Sequence, residues 1–192
     1  LYSLLGDPSY PHEPTSRDLI GALETEVNRG DQYGQRLRGY LHVPEDGLYR
    51  FRIAGDDDAY FMLNAAGDSV DFWQQMSDTA VAYHVITAHV PGNTDIGEWD
   101  KYPSQYSAPA YLLKDSGYYV EVLHKEGWGD DHVTVQWLRP DRDTFEIVTG
   151  AFLSPYIPEG ITMPELYVPE FVPVEPATDP IASVPPDADD AD

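Results

Sequence analysis

Short runs that alternate apolar and polar residues, each closed by a turn signal, restrict this chain to a narrow class of folds. In "GLYRFRIAG", Tyr49, Phe51 and Ile53 fall on one side and Arg50 and Arg52 on the other, the period of two expected of a half-buried strand. "AYFMLN" places Ala59, Phe61 and Leu63 on one face. "GYYVEVLHKE" sets Tyr118, Val120, Val122 and His124 against Tyr119, Glu121, Leu123 and Lys125, and "HVTVQWL" aligns Val133, Val135 and Trp137. Turn residues at 44–47, 115–117 and 127–131 separate these runs. The pattern predicts an all-β sandwich or barrel with Tyr49, Phe51 and Trp137 in its core. "SRDLIGALETEV" suits one short helix, "AVAYHVITAHV" suits strand or helix, and no internal repeat is evident.

The 192 residues are enough for one domain with a real core, or one domain plus a tail. A composition shift divides the chain into residues 1–157 and 158–192. The second part has nine acidic residues, no basic one and eight of the seventeen prolines. That would ordinarily read as a linker, yet "ITMPELYVPEFVPVEP" is apolar enough to predict an extended, docked tail. The net charge of −23 argues against nucleic acid and anionic membranes as partners. No apolar run approaches the length of a spanning helix, so membrane insertion is not expected. Cysteine is absent, which excludes disulfides and thiolate metal sites. The chain starts at Leu1 without methionine, which suggests a processed protein or a fragment, and its charge suits a solvated extracellular one.

Asp56, Asp57 and Asp58 stand side by side at what looks like the turn of a hairpin. Adjacent strand residues point apart, so Asp56 and Asp57 reach one point only if the peptide between them is cis. Carboxylates at this density are ligands for hard cations, and Ca²⁺ takes six to eight oxygens at about 2.3–2.6 Å. A second loop, "KEGWGDDHV", supplies Glu126, Asp130, Asp131 and two glycines that bring carbonyls close. A solvated acidic corner is the alternative. His124 and His132 flank this loop and read as hydrogen-bonded spacers. Vicinal carboxylates converge on one point, whereas a glycosidase pair sits about 5–9 Å apart. With no nucleophile, phosphate or metalloprotease motif present, no enzyme is expected.

Three ordered blocks, "RLRGYLHVPEDGLYRFRIAGDD", "WDKYPSQYSAP" and "YYVEVLHKEGWGDDHVTVQW", resemble the PA-fourteen (PA14) domain, named after a piece of anthrax protective antigen. The likeness runs from about Pro8 to Leu138 and is greatest to the family's bacterial cell-surface branch. It implies an antiparallel β-sandwich and a carbohydrate-binding module of the kind found in adhesins, glycosidases and toxins. It also implies a Ca²⁺ held by a cis-linked Asp56–Asp57 pair, with oxygens from Glu126, Gly127, Gly129 and Asp130. Two sugar hydroxyls would complete the shell, and the loop tip would select the glycan, with Trp128 facing the sugar ring and Asp131 beside it. Asp58 departs from the family, which usually has a small residue or Asn there. An extra carboxylate at that place would crowd the ligand. The expectation is an extracellular, calcium-dependent, lectin-like adhesion module.

Family members usually begin with a further strand, and here only "LYSLLG" precedes Asp7. A sandwich short of a strand exposes an edge and an apolar groove. The tail offers Leu166, Val168, Phe171 and Val174 to fill such a groove on a neighbouring subunit. This gives a second expectation, a homo-oligomer or extracellular filament assembled head to tail by strand donation, with calcium purely structural.

Overall fold

A computed structural model of the protein describes residues 1–65 and 85–157. They form two antiparallel sheets. The strands are β1 (Gly34–His42), β2 (Gly47–Asp56), β3 (Asp58–Asn64), β4 (Val85–Val90), β5 (Ala110–Leu112), β6 (Gly117–Lys125), β7 (His132–Leu138), β8 (Glu146–Ile147) and β9 (Leu153–Pro155). One sheet has the order β4-β3-β6-β1-β9 and the other β5-β2-β7-β8. The inward residues of β2 and β7 are those the alternation selects: Phe51 faces Trp137 and Ile53 faces Val135 across the ladder, all fully buried. From the other sheet, β3 and β6 bring Phe61 opposite Val122 and Leu63 opposite Val120. Phe51 and Phe61 meet between the sheets with ring centroids 5.0 Å apart. Each such side chain contributes about 1.5–3 kcal/mol by leaving water.

The aspartate run is not a hairpin. β2 pairs with β7 and β3 with β6, so at Asp57 the chain crosses from one sheet to the other. The return crossing is the segment between β6 and β7, residues 126–131. Asp56 is paired with His132 at the end of one ladder and Asp58 with Lys125 at the end of the other. The two crossings therefore lie side by side at one end of the sandwich, and this register brings the acidic loops together.

Three sequence expectations change in the structure. β6 is buried on both faces from Tyr118 to His124, where alternation suggests one wet face. It is the middle strand of its sheet, and a second apolar layer covers its outer side: Leu1, Leu4, Leu5 and Tyr10 pack around Met62 and Leu123. "LYSLLG", expected to leave a groove bare, forms the one-turn helix α1 (Tyr2–Leu5) in this layer. "SRDLIGALETEV" is extended rather than helical. Leu23 N–H donates to Val148 O and Val135 N–H to Leu23 O, both at 2.8 Å, so pairing along β7 with burial of Leu23 overrides local propensity. "AVAYHVITAHV" yields strand β4 over its described part. The tail, with Leu166, Val168, Phe171 and Val174, lies outside the described residues, as does any strand donation by it.

Candidate functional site

The Asp56–Asp57 peptide is cis, as the vicinal carboxylates suggest. Carboxylate oxygens of Asp56, Asp57 and Glu126 all lie within 4.8 Å of one another. Backbone groups fix this geometry. Asp57 N–H donates to Glu126 Oε2 at 3.1 Å, and Gly127 N–H donates to Asp57 Oδ2 at 2.9 Å. A Cβ on Gly127 would stand 2.7 Å from that oxygen, so the position accepts only glycine without a shift. Glu126 is fully buried, and its Oε1 has no hydrogen-bond partner among the described residues. Burial, a hydrogen bond with Asp57 and the Asp57 charge push Asp56 up to about 6. Burial and the charge of Asp57 push Glu126 up to about 7. Crowded hard oxygens, one of them buried without a donor, form a set that fits a divalent cation.

A loop that sequence reading passed over holds the second crossing in place. Residues 28–33 strap it through contacts that join positions about a hundred apart in the chain. Tyr33 Oη donates to Asp131 Oδ1 at 2.9 Å and Gly30 N–H to Asp131 Oδ2 at 2.9 Å. Asp131 N–H returns a bond to Asn28 Oδ1 at 3.2 Å, and Gly129 N–H reaches Asp31 Oδ1 at 3.0 Å. Gln32 donates to the Gly127 carbonyl from both its backbone N–H, at 2.7 Å, and its side chain, at 2.8 Å. Asn28 and Gln32 adopt left-handed φ values of 57° and 55°. The "NRGDQYG" run carries a turn signal, but nothing in it names the loop it clamps.

The structure divides the expected site residues. Asp56, Asp57, Glu126 and Gly127 come together, although the Gly127 carbonyl faces Gln32. Trp128 stands at the tip of the crossing, 78% exposed. Gly129 has φ +117° and is held by Asp31. Asp130 joins Asp56, Asp95 and His132 around a recess instead of the three-carboxylate cluster. Asp131 is corrected from a ligand contact to a clamp: it is fully buried and engaged by Tyr33 and Gly30. Asp58 turns to other partners. Its Oδ1 lies 3.0 Å from His89 Nε2 and its Oδ2 2.6 Å from the Leu1 nitrogen, and it stands outside the three-carboxylate cluster. Burial opposes its ionisation, but these two bonds hold its carboxyl below the ordinary value. His124 is the expected spacer, 2.8 Å from Gln35 Nε2 and 2.7 Å from the Asp56 carbonyl oxygen. His132 differs: its buried Nε2 has no partner among the described residues.

The sequence profile of the PA14 domain matches residues 23–150. The chain belongs to the PA14 domain family. The match covers strands β1 to β8 and both crossings. It carries the family assignment, not membership of the bacterial cell-surface branch. A mouse protein, N-acetyl-beta-glucosaminyl-glycoprotein 4-beta-N-acetylgalactosaminyltransferase 1, is 31% identical over 159 residues, which are 80% of this chain and 14% of that enzyme. Among solved structures, the Epithelial Adhesin 6 A domain from Candida glabrata in complex with Galb1-3GlcNAc is similar at a TM-score of 0.45 and 14% identity, over 66% of this chain and 52% of that one. The PA14 sugar-binding domain from an RTX adhesin is similar at 0.42 and 17%, over 63% and 53%. The chain thus spans a small part of its mouse relative and about half of each adhesin chain. Among the described residues no helix is long and apolar enough to cross a membrane.

Proposed function

We propose that this PA14 domain is an extracellular, calcium-dependent glycan-binding module, a binding protein rather than an enzyme. The observation that carries the reading is the convergence of Asp56, Asp57 and Glu126 within 4.8 Å, beside a crossing that lifts Trp128 into solvent. The three carboxylates would hold the Ca²⁺. The ion would supply a centre on which two sugar hydroxyls replace water, and Trp128 would offer its ring to an apolar sugar face. Family membership supports the same reading. So do the bonds from Gly127 N–H to Asp57 Oδ2 and from Asp57 N–H to Glu126 Oε2, which hold the carboxylates together while Glu126 Oε1 keeps no partner among the described residues.

A glycan array probed with the full chain in calcium and in chelator tests the proposal. Calcium-dependent binding to sugars with vicinal hydroxyls is expected, and Trp128→Ala should weaken it with calcium uptake retained. Glycan binding that survives chelation, or an array without calcium-dependent signal, overturns it.

A further inference from the structure

Next to the cluster lies a recess of about 200 Å³, and neither Asp57, Glu126 nor Trp128 lines it. Its lining includes Asp56, Thr94, His132, Asp95 and Asp130. Val27 and Ile96, 50% and 68% exposed, add apolar surface to the lining. The volume has room for about six waters, far more than a bare ion fills.

The unused groups in this recess are two carboxylates and one imidazole nitrogen. Thr94 Oγ1 is already committed, donating to Gly55 O at 3.0 Å and accepting from Gly55 N–H at 2.9 Å. Asn28 Oδ1 accepts from Asp131 N–H. The side chains of Asp95 and Asp130 accept no hydrogen bond from a described residue. His132, only 4% exposed, lines the recess with its Nε2 unpartnered. Among the described residues no lysine or arginine lines the recess. Lys101 is turned to Asn93 at 3.1 Å and Glu98 at 3.7 Å.

Resting on the reading above, we infer that this recess seats a sugar unit adjoining the ion and sorts glycans by charge, favouring amino-bearing rings over neutral ones and rejecting anionic ones. A protonated amine supplies donors to Asp95 and Asp130. A carboxylate or sulfate in the same place meets two like charges with no described lysine or arginine beside them, and the ion's own charge is already more than matched by Asp56, Asp57 and Glu126. At about 4 Å and surface-like screening each such encounter is worth roughly a factor of ten or more. Val27 and Ile96 take the ring's C–H face whatever its charge.

The test uses the calcium-saturated full chain and pyranoses matched in ring stereochemistry but not in charge: glucosamine, glucose and glucuronate, with the galacto and manno sets alongside. Dissociation constants from NMR titration at low salt should rise in the order amine, neutral, uronate in the set that binds. Amine and uronate should differ at least about tenfold, with the span narrowing at high salt. Asp95→Asn, at an exposed position, should compress that span. Constants independent of charge, or uronates binding as well as amines, overturn the inference and leave the calcium-dependent reading standing. If no pyranose binds in a calcium-dependent way, both fall.

Discussion

Asp57 and Asp58 are neighbours in sequence with unrelated partners. Asp57 meets Gly127 and Glu126, whereas Asp58 meets His89 and the Leu1 nitrogen. The consequence at the cluster is a titration that calcium should displace. In the metal-free fold Glu126 sits at about 7 and Asp56 at about 6, both above the ordinary carboxylate value near 4. Between those limits the folded chain keeps protons that the unfolded chain has lost. The pair's contribution to metal-free stability is therefore greatest in acid and lost as pH rises through 6 to 7. Calcium requires the ionised forms, so its affinity should fall as pH drops from about 7.5 to 5.5, with protons released on calcium addition near pH 6.5. Glu126→Gln should abolish the upper step. Affinity flat across that range would count against the cluster as the ion's seat. Buried His124 and His132, held below their usual range by burial, act in the opposite sense, losing stability as pH falls. The comparison with Glu126→Gln, not the wild-type melt alone, isolates the carboxylates. Gly127→Ala gives a second reading of the same geometry. With its Cβ 2.7 Å from Asp57 Oδ2, it should cost about 1–3 kcal/mol in a denaturant melt and weaken calcium binding. An unchanged midpoint and affinity would mean that Asp57 is free to move.

At the scale of elements, the strap at residues 28–33 decides whether the second crossing is ordered. Tyr33→Phe deletes one donor to the buried Asp131 carboxylate and leaves the Gly30 N–H bond in place. A hydrogen bond to a charged group is worth about 1.5–3 kcal/mol. The variant should lose that much stability, and amide exchange over 127–131 should quicken. Retention of both would show that the crossing holds itself. Strands β2 and β7 were legible because the inward face of each is core and much of the other is not, so the period of two survives in Tyr49, Phe51, Ile53 and their partners; β3 keeps Ala59, Phe61 and Leu63 inward, although Met62 on its other face is also covered. β6 was legible as a strand but not in its burial, since the α1 layer over Leu123 is a tertiary fact. The paired acidic loops could be read from Asp56, Asp57 and Glu126 because their chemistry is unusual. The strap could not, because Asn28 to Tyr33 gain their meaning only from partners about a hundred residues away. The segment around Leu23 misled for the same reason: its backbone bonds go to Val148 and Val135, which no local window contains.

At the scale of the whole molecule, the cluster joins the two places where the chain changes sheets. Asp56 ends a strand of the four-stranded sheet, and Glu126 directly follows β6 of the five-stranded one. An ion shared by these residues would bridge both sheets as well as two loops. Its binding energy would then appear in cooperative unfolding and not merely in local loop order. Urea melts of the full chain should show added stability growing with free calcium, about 2.7 kcal/mol at a hundredfold excess over its dissociation constant. The urea dependence should change little, because the surface exposed on unfolding is the same. Asp57→Ala should abolish the increment while leaving the melt in chelator close to that of the parent, since its carboxylate's only bond from a described backbone group comes from Gly127 N–H. If calcium quickens or slows exchange only around 126–131 and leaves the global midpoint where it was, the ion orders a loop and does not tie the sandwich together.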